Sequence, residues 1–204
     1  MKFSDIPQPD TLAAHAAREV AAAYYSPSLL NHCLRSYAWG AAYATQNETS
    51  FDAELLYVSS MLHDIGLVTE FDNVSIPFED AGGQVAWVFA AGAGWSVKRR
   101  VRAAEVIERH MWADVDPDRD QEGHLLAIAT GLDISGRNAD WWDPALLHEV
   151  VEQFPRLDLR AEFIRCFENQ AARKPHSSAA RAVQGGFAER MAANILERRD
   201  DDDS

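Results

Sequence analysis

The chain has 204 residues, 47% of them hydrophobic, two cysteines and a formal net charge of −13. That length buries a full core without disulfide or metal staples, and no apolar run approaches membrane-spanning length. An acidic chain is a poor partner for nucleic acid, whose affinity rests on neutralising phosphates with Lys and Arg.

Cys33 and Cys166 make neither a disulfide framework nor a CxxC pair and are read as buried thiols. The opening MKFSDIPQPD lacks the apolar core of a signal peptide, so the expected location is the cytoplasm. Lys98, Arg99, Arg100 and Arg102 form the one dense basic cluster. On a helix they spread around the circumference and read as a solvated face.

Helix signals recur along the chain and strand signals are scarce. Asp10 stands where it can cap LAAHAAREVAAAYY, which is rich in the best helix former. Ser26-Pro27 joins a capping hydroxyl to a Pro at the first helical position and opens SLLNHCLRSYAWGAAYA, with Leu30, Leu34, Ala38 and Ala41 on one stripe. Phe51-Asp52 begins a helix that runs into 57–67, YVSSMLHDIGL, flanked by Leu55, Leu56, Val58, Met61 and Leu62. His63 and Asp64 stand at its end, and Gly66 is expected to stop it in a left-handed turn. Residues 68–80 read as a loop around Pro77 that carries Glu70 and Glu79, and a helix follows over about 82–91. Gly92 and Gly94 break the chain before Ser96 caps VKRRVRAAEVIERHMW. After a polar turn, HLLAIATGLDI reads as a short buried helix ending near Gly136. Asp143-Pro144 repeats the cap-and-Pro signal for ALLHEVVEQF, and further helices are expected at 158–171 and 186–198. Trp39, Trp87, Trp95 and Trp112 are assigned to the core, one or two of them walling a pocket.

The pair His63-Asp64 organises the functional reading. Adjacent helical residues point about 100° apart, so both reach one ion only if it sits in the wedge between them, off the helix end. Taken alone, such a pair is more commonly a core histidine bonded to its neighbour. Other segments add metal-type side chains inside apolar helices: His32, His110 and Asp133. Asp133 lies in LLAIATGLDI with no Lys or Arg beside it, and its burial costs several kcal/mol unless it is paired or metal-bound. His110 also fits a simpler role at the C-terminal end of its helix, favourable to the dipole.

In the order His32, His63-Asp64, Asp133 the chain resembles the HD superfamily, named for its metal-binding His-Asp pair. The phrases SPSLLNHCLRSYAWG and FDAELLYVSSMLHDIGLVTEF narrow the resemblance to cyanamide hydratase-like HD proteins. In that group the metal-bound His follows an Asn and precedes an Arg and a Tyr, as Asn31, Arg35 and Tyr37 do. The likeness covers roughly residues 5–140 and fades beyond. It implies an all-α, HD-domain helical bundle in a single domain over 1–204. The metal-site core would span about 26–140, with C-terminal helices of about 143–198 packed on it and a polar tail at 199–204.

The resemblance further implies that His32, His63, Asp64 and Asp133 hold one divalent transition metal. Zinc is the expected ion; iron, manganese and cobalt suit the same donors. Asp64, His110 and Glu70 are assigned to catalysis, and Asn31, Arg35 and His110 to substrate binding. With a coordination position left open, such a metal activates water near neutral pH. The implied reaction is hydration of a nitrile-type carbon, as in cyanamide to urea. A nucleotide or sugar phosphomonoesterase is the alternative, and a non-catalytic metal-containing binding protein the third. A second metal on His110 and His124 stays open at this stage. A small-molecule substrate is expected, with no nucleic-acid or membrane partner and a homo-oligomer as one assembly. Arg35 is the one cation expected near the ligands, with Glu54 and Asp64 as candidate partners, and the cavity of a nitrile hydratase is expected to be small and largely closed.

Overall fold

The computed structural model describes residues 1–197, and every regular element among them is helical. α1 spans Leu12–Tyr24, α2 Pro27–Gln46, α3 Ala53–Leu62, α4 Phe78–Gly92 and α5 Val97–Arg109. α6 spans Gln121–Ser135, α7 Pro144–Gln153, α8 Leu159–Arg173, α9 Ser178–Gln184 and α10 Phe187–Ala192.

The capping signals set most of these starts. Ser26 Oγ accepts from the Leu29 amide at 3.1 Å with Pro27 in the first turn, and Asp52 accepts from Leu55 at 3.0 Å. Asp143 accepts from Ala145 at 2.8 Å. α1 differs by one residue: Thr11 is its cap, accepting from Ala14 at 3.2 Å, while Asp10 turns to His15 at 2.7 Å. Gly136 ends α6 in the left-handed region (φ 68°), as expected of a Gly just past a helix.

α2 is the spine. It packs on α3, α6 and α8, and buries Arg35, Tyr37, Ala38 and Trp39 almost completely. α3, also buried along its length, is enclosed by α1, α5 and α6, so the helix carrying His63-Asp64 at its end is central. Each fully buried Leu or Met of α3, such as Leu56, Met61 and Leu62, contributes about 1.5–3 kcal/mol through burial. No helix among the described residues is long and apolar enough to cross a membrane.

Four expectations are corrected. α4 starts at Phe78 rather than about residue 82, because Pro77 occupies its cap position and Glu79 and Asp80 favour a first turn. The helix expected over 186–198 is two pieces, α10 and a 3-10 turn at Ile195–Glu197, preceded by α9, which no strong signal announced. Residue 198 and the tail at 199–204 lie outside the described residues. Gly66 has no positive φ; it sits in a 3-10 turn at Ile65–Leu67, where a Cβ would lie 2.1 Å from the Phe78 carbonyl oxygen. Its need is close approach to α4, not a left-handed stop. Trp87 and Trp112 are 37% and 57% exposed, lying under the guanidiniums of Arg100 and Arg109. Trp142 takes a core position instead, its indole N–H donating to the Trp39 carbonyl at 3.0 Å.

Candidate active site

α2 brings His32 inward, and α3 ends at Leu62 so that His63 and Asp64 follow at its C-terminus. His63 Nδ1 donates to the Ser60 carbonyl at 2.7 Å, and His32 Nδ1 faces Asp133 Oδ2 at 2.6 Å. With the ring protons assigned to Nδ1 by these bonds, each Nε2 carries a lone pair. The two Nε2 atoms lie 3.1 Å apart, and Asp64 Oδ2 is 3.3 Å from that of His32 and 3.1 Å from that of His63. Asp64 Oδ2 is buried with no hydrogen-bond partner. Three acceptors thus converge in a region from which water is largely excluded, an arrangement that repels itself unless a cation lies among them.

These three residues form the metal-competent group found among the described residues. Two imidazoles and a carboxylate suit zinc and equally iron, manganese or cobalt, so the donors fit the implied ion. Burial pushes the Asp64 carboxyl up, and only positive charge on the His63 and His32 rings, or a cation held among the three groups, brings it below the usual carboxylate range.

Asp133 stands on the other side of the His32 ring. Arg35 grips it with Nε to Oδ1 at 2.7 Å and Nη2 to Oδ2 at 2.9 Å, and Arg156 Nη1 reaches Oδ1 at 3.0 Å. Trp39 Nε1 is 3.4 Å from Oδ1. Burial raises the Asp133 carboxyl, and Arg35, Arg156 and His32 together hold it well below the ordinary value. The partner of Arg35 is therefore Asp133, not Glu54 or Asp64. Its remaining Nη1 donates to the Phe154 carbonyl at 2.8 Å, and Asn31 Nδ2 donates to the Pro155 carbonyl at 2.8 Å.

His110 packs its ring 4.9 Å from that of His63, with Nε2 4.0 Å from Asp64 Oδ1. Its Nδ1 donates to the Ile107 carbonyl. Burial, then the neighbouring His63, pushes its pKa down to about 3, so the ring is neutral and Nε2 is an acceptor.

A cavity of about 630 Å³ opens above His32, His63, Asp64 and His110. One wall is a face of α6 that includes Ala127, Thr130 and Ile134; the other is built by Phe163 and Phe167 of α8 and by α9 and α10. Arg137, Arg181 and Arg190 line it from exposed positions at the rim.

No family model matches the chain. Two curated proteins of Saccharomyces cerevisiae, cyanamide hydratase DDI2 and cyanamide hydratase DDI3, are each 31% identical to it over 175 residues, which is 83% of this chain and 77% of theirs. The chain belongs to the cyanamide hydratase family.

Within this cyanamide hydratase family member the sequence-predicted site residues fall into three groups. His32, His63, Asp64 and His110 meet at the cavity floor. Asp133, Arg35 and Asn31 do not line the cavity; they stand behind it, Asp133 and Arg35 in a buried charge cluster and Asn31 on the Pro155 carbonyl. Glu70 is exposed and does not line the cavity either. His124 binds the Val115 carbonyl at 2.8 Å and packs against Tyr43, outside the cavity lining.

Sequence reasoning missed Arg156 and the three rim arginines. Arg156 follows Pro155 in a segment without periodicity, so nothing local marks it as buried. For Arg181 the one available signal is its place with Ser178 and Ala182 on one helical face, legible only once α9 is assigned. The expectation of Arg35 as the sole nearby cation, and of a small closed cavity, is replaced by a roomy cavity with three arginines at its mouth.

Proposed function

We propose that this chain is a metal-dependent hydratase that adds water across a nitrile-type carbon of a small molecule, with cyanamide as the first substrate to test. The observation that carries the reading is the convergence of His32 Nε2, His63 Nε2 and Asp64 Oδ2 at the floor of a cavity. The relationship to two proteins named cyanamide hydratase supports the reaction class.

His32, His63 and Asp64 would hold a divalent transition metal, zinc being the expected ion. Bound there, it would lower the pKa of water and polarise the nitrile. Asp133 acts through His32: by accepting its Nδ1 proton it fixes the tautomer and aims Nε2 at the site. Arg35 and Arg156 keep Asp133 ionised in its buried position. His110 offers a neutral Nε2 beside Asp64, able to accept a hydrogen bond from the attacking water and orient it. Phe163 and Phe167 supply an apolar wall that limits competing water. The reaction balances as one water added: oxygen bonds to carbon, and the nitrile nitrogen gains the protons that water gives up.

The test is urea formation from cyanamide by metal-replete protein, with metal content measured in parallel and His63→Ala as the blank. About one equivalent of metal per chain and His63-dependent urea are expected. Nucleoside monophosphates run alongside: His63-dependent phosphate release without nitrile hydration would replace this reading with the phosphomonoesterase one.

A further inference from the structure

The cavity is too large and too positive for cyanamide alone. A water molecule takes about 30 Å³, so a nitrile of three heavy atoms fills roughly a seventh of the space, against about 630 Å³ here. The charged groups lining it are Asp64 at the floor and Arg137, Arg181 and Arg190 at the rim. On a chain of net charge −13 this local excess of cations runs against the average.

Most other arginines with described contacts are paired. Arg35, Arg99, Arg102, Arg109, Arg156 and Arg173 all face carboxylates. Among the described residues none of the three rim arginines has a carboxylate oxygen within ion-pair distance, although the charge of Arg181 acts on the buried Glu79. Arg181 Nη1 donates to the His176 carbonyl at 3.1 Å, and Arg190 Nη1 to the Gly185 carbonyl, which fixes their stems and leaves other N–H groups for a ligand. Arg137 folds back over Gly131 of α6: a Cβ at that glycine would meet Nε at 3.1 Å and Nη2 at 3.2 Å. A bare backbone at Gly131 therefore lets this guanidinium lie along the cavity wall.

We infer that the outer part of the cavity is an anion-binding subsite, formed by Arg137, Arg181 and Arg190. The preferred substrate is then a small organic anion whose nitrile-type carbon sits at the floor while a carboxylate or phosphate is held at the rim. The subsite itself needs no metal; the choice of a nitrile-bearing anion rests on the hydratase reading above. Guanidiniums suit such a head group because they present paired N–H donors with a permanent charge. Desolvated apolar walls between floor and rim strengthen the attraction and orient the substrate along the cavity.

The test separates the two claims. Orthophosphate and glutarate are titrated by calorimetry into the metal-loaded chain, into His63→Ala, and into the triple variant Arg137→Gln/Arg181→Gln/Arg190→Gln. Saturable binding is expected in the first two and at least about tenfold weaker binding in the triple variant; the tighter probe identifies the head group. Arg137→Gln alone, whose side chain is exposed, provides a second variant with a smaller loss and an unchanged melt. In kinetics, cyanoacetate and 4-cyanobutyrate are compared with their neutral amides. A carboxylate preference in kcat/KM that falls with added salt and vanishes in the triple variant supports the subsite. Anion binding that survives the triple substitution, or that disappears with His63→Ala, places the anion on the metal and overturns the proposal. Anion binding that follows the arginines, with no hydration of any nitrile, keeps the subsite and removes the hydratase reading instead.

Discussion

Replacing Asp133 by Asn keeps the shape of the side chain and removes one charge from the buried cluster behind His32. In the native fold that carboxylate neutralises Arg35, fully buried at 2.7 Å, and Arg156, 6% exposed at 3.0 Å. Removing one partner of a buried ion pair costs about 3–5 kcal/mol, because the other charge stays behind uncompensated. Arg35 is the guanidinium stranded here, since Arg156 keeps Glu197 at 2.6 Å, and the amide oxygen retains a hydrogen bond, so the same range applies to the whole change. For a chain of this size each kcal/mol moves Tm by about 2–4 °C, which puts the expected drop at roughly 6–20 °C. The assay is thermal unfolding of chelator-treated Asp133→Asn against the chelator-treated native protein, so that metal binding does not enter the comparison. In metal titration the same variant should lose about 10–100-fold in affinity, the usual effect of removing the group that orients a ligating histidine. An unchanged melt would refute the charge-cluster argument. Loss of all metal, far beyond that range, would make Asp133 a direct ligand.

His110→Ala should keep its metal and lose turnover on cyanamide by about 10²–10⁴-fold, the range for a group that handles a proton in the reaction; metal content falling in parallel would make His110 a ligand. Asp120 caps α6 through the Gly123 amide at 2.9 Å and meets Arg102 and Arg109 at 2.6 Å each. Burial raises its carboxyl, but the two arginines and the capping bond hold it below its ordinary value. A group depressed in this way stabilises the fold above the unfolded pKa of about 3.9 and loses that contribution as pH falls towards the folded value. Asp120→Asn should therefore cost about 1–3 kcal/mol in urea unfolding at pH 7 and much less near pH 3; a cost that does not change with pH would refute the assignment.

What the sequence revealed depended on whether the signal was local. Ser26-Pro27, Asp52, Ser96 and Asp143-Pro144 mark helix starts through bonds to amides two or three residues on, and all four are caps in the structure. The start of α4 was hidden because Pro77 contributes no side-chain cap, and Gly82-Gly83 depress the propensity of its first turns. Small residues in α9 likewise give no periodic face long enough to read. At the site, His32 and His63-Asp64 were legible from apolar context and spacing. The contacts of Asn31 and Arg35 were not, because both reach the Phe154-Pro155 carbonyls, which enter from far along the chain. The exposure of Trp87 on α4 and of Trp112 in the turn after α5 was equally a tertiary matter, set by which surface lacks a covering helix.

The loop at 154–156 has a bearing on how the protein comes into being. His32 meets Asp133 across 101 residues, Arg35 meets Phe154 across 119, and Asn31 meets Pro155 across 124. Contacts of such separation form late, since the intervening chain must first be closed into a loop at an entropic cost. During synthesis, which delivers the N-terminal helices first, His32, His63 and Asp64 emerge long before the arginine that finishes their support. A nascent chain halted shortly after α6 would hold every ligand named in the sequence yet lack Arg156, leaving the Asp133 carboxylate only partly compensated. The buried charge cluster behind His32 is thereby complete only once the C-terminal third of the chain has folded onto α2 and α6.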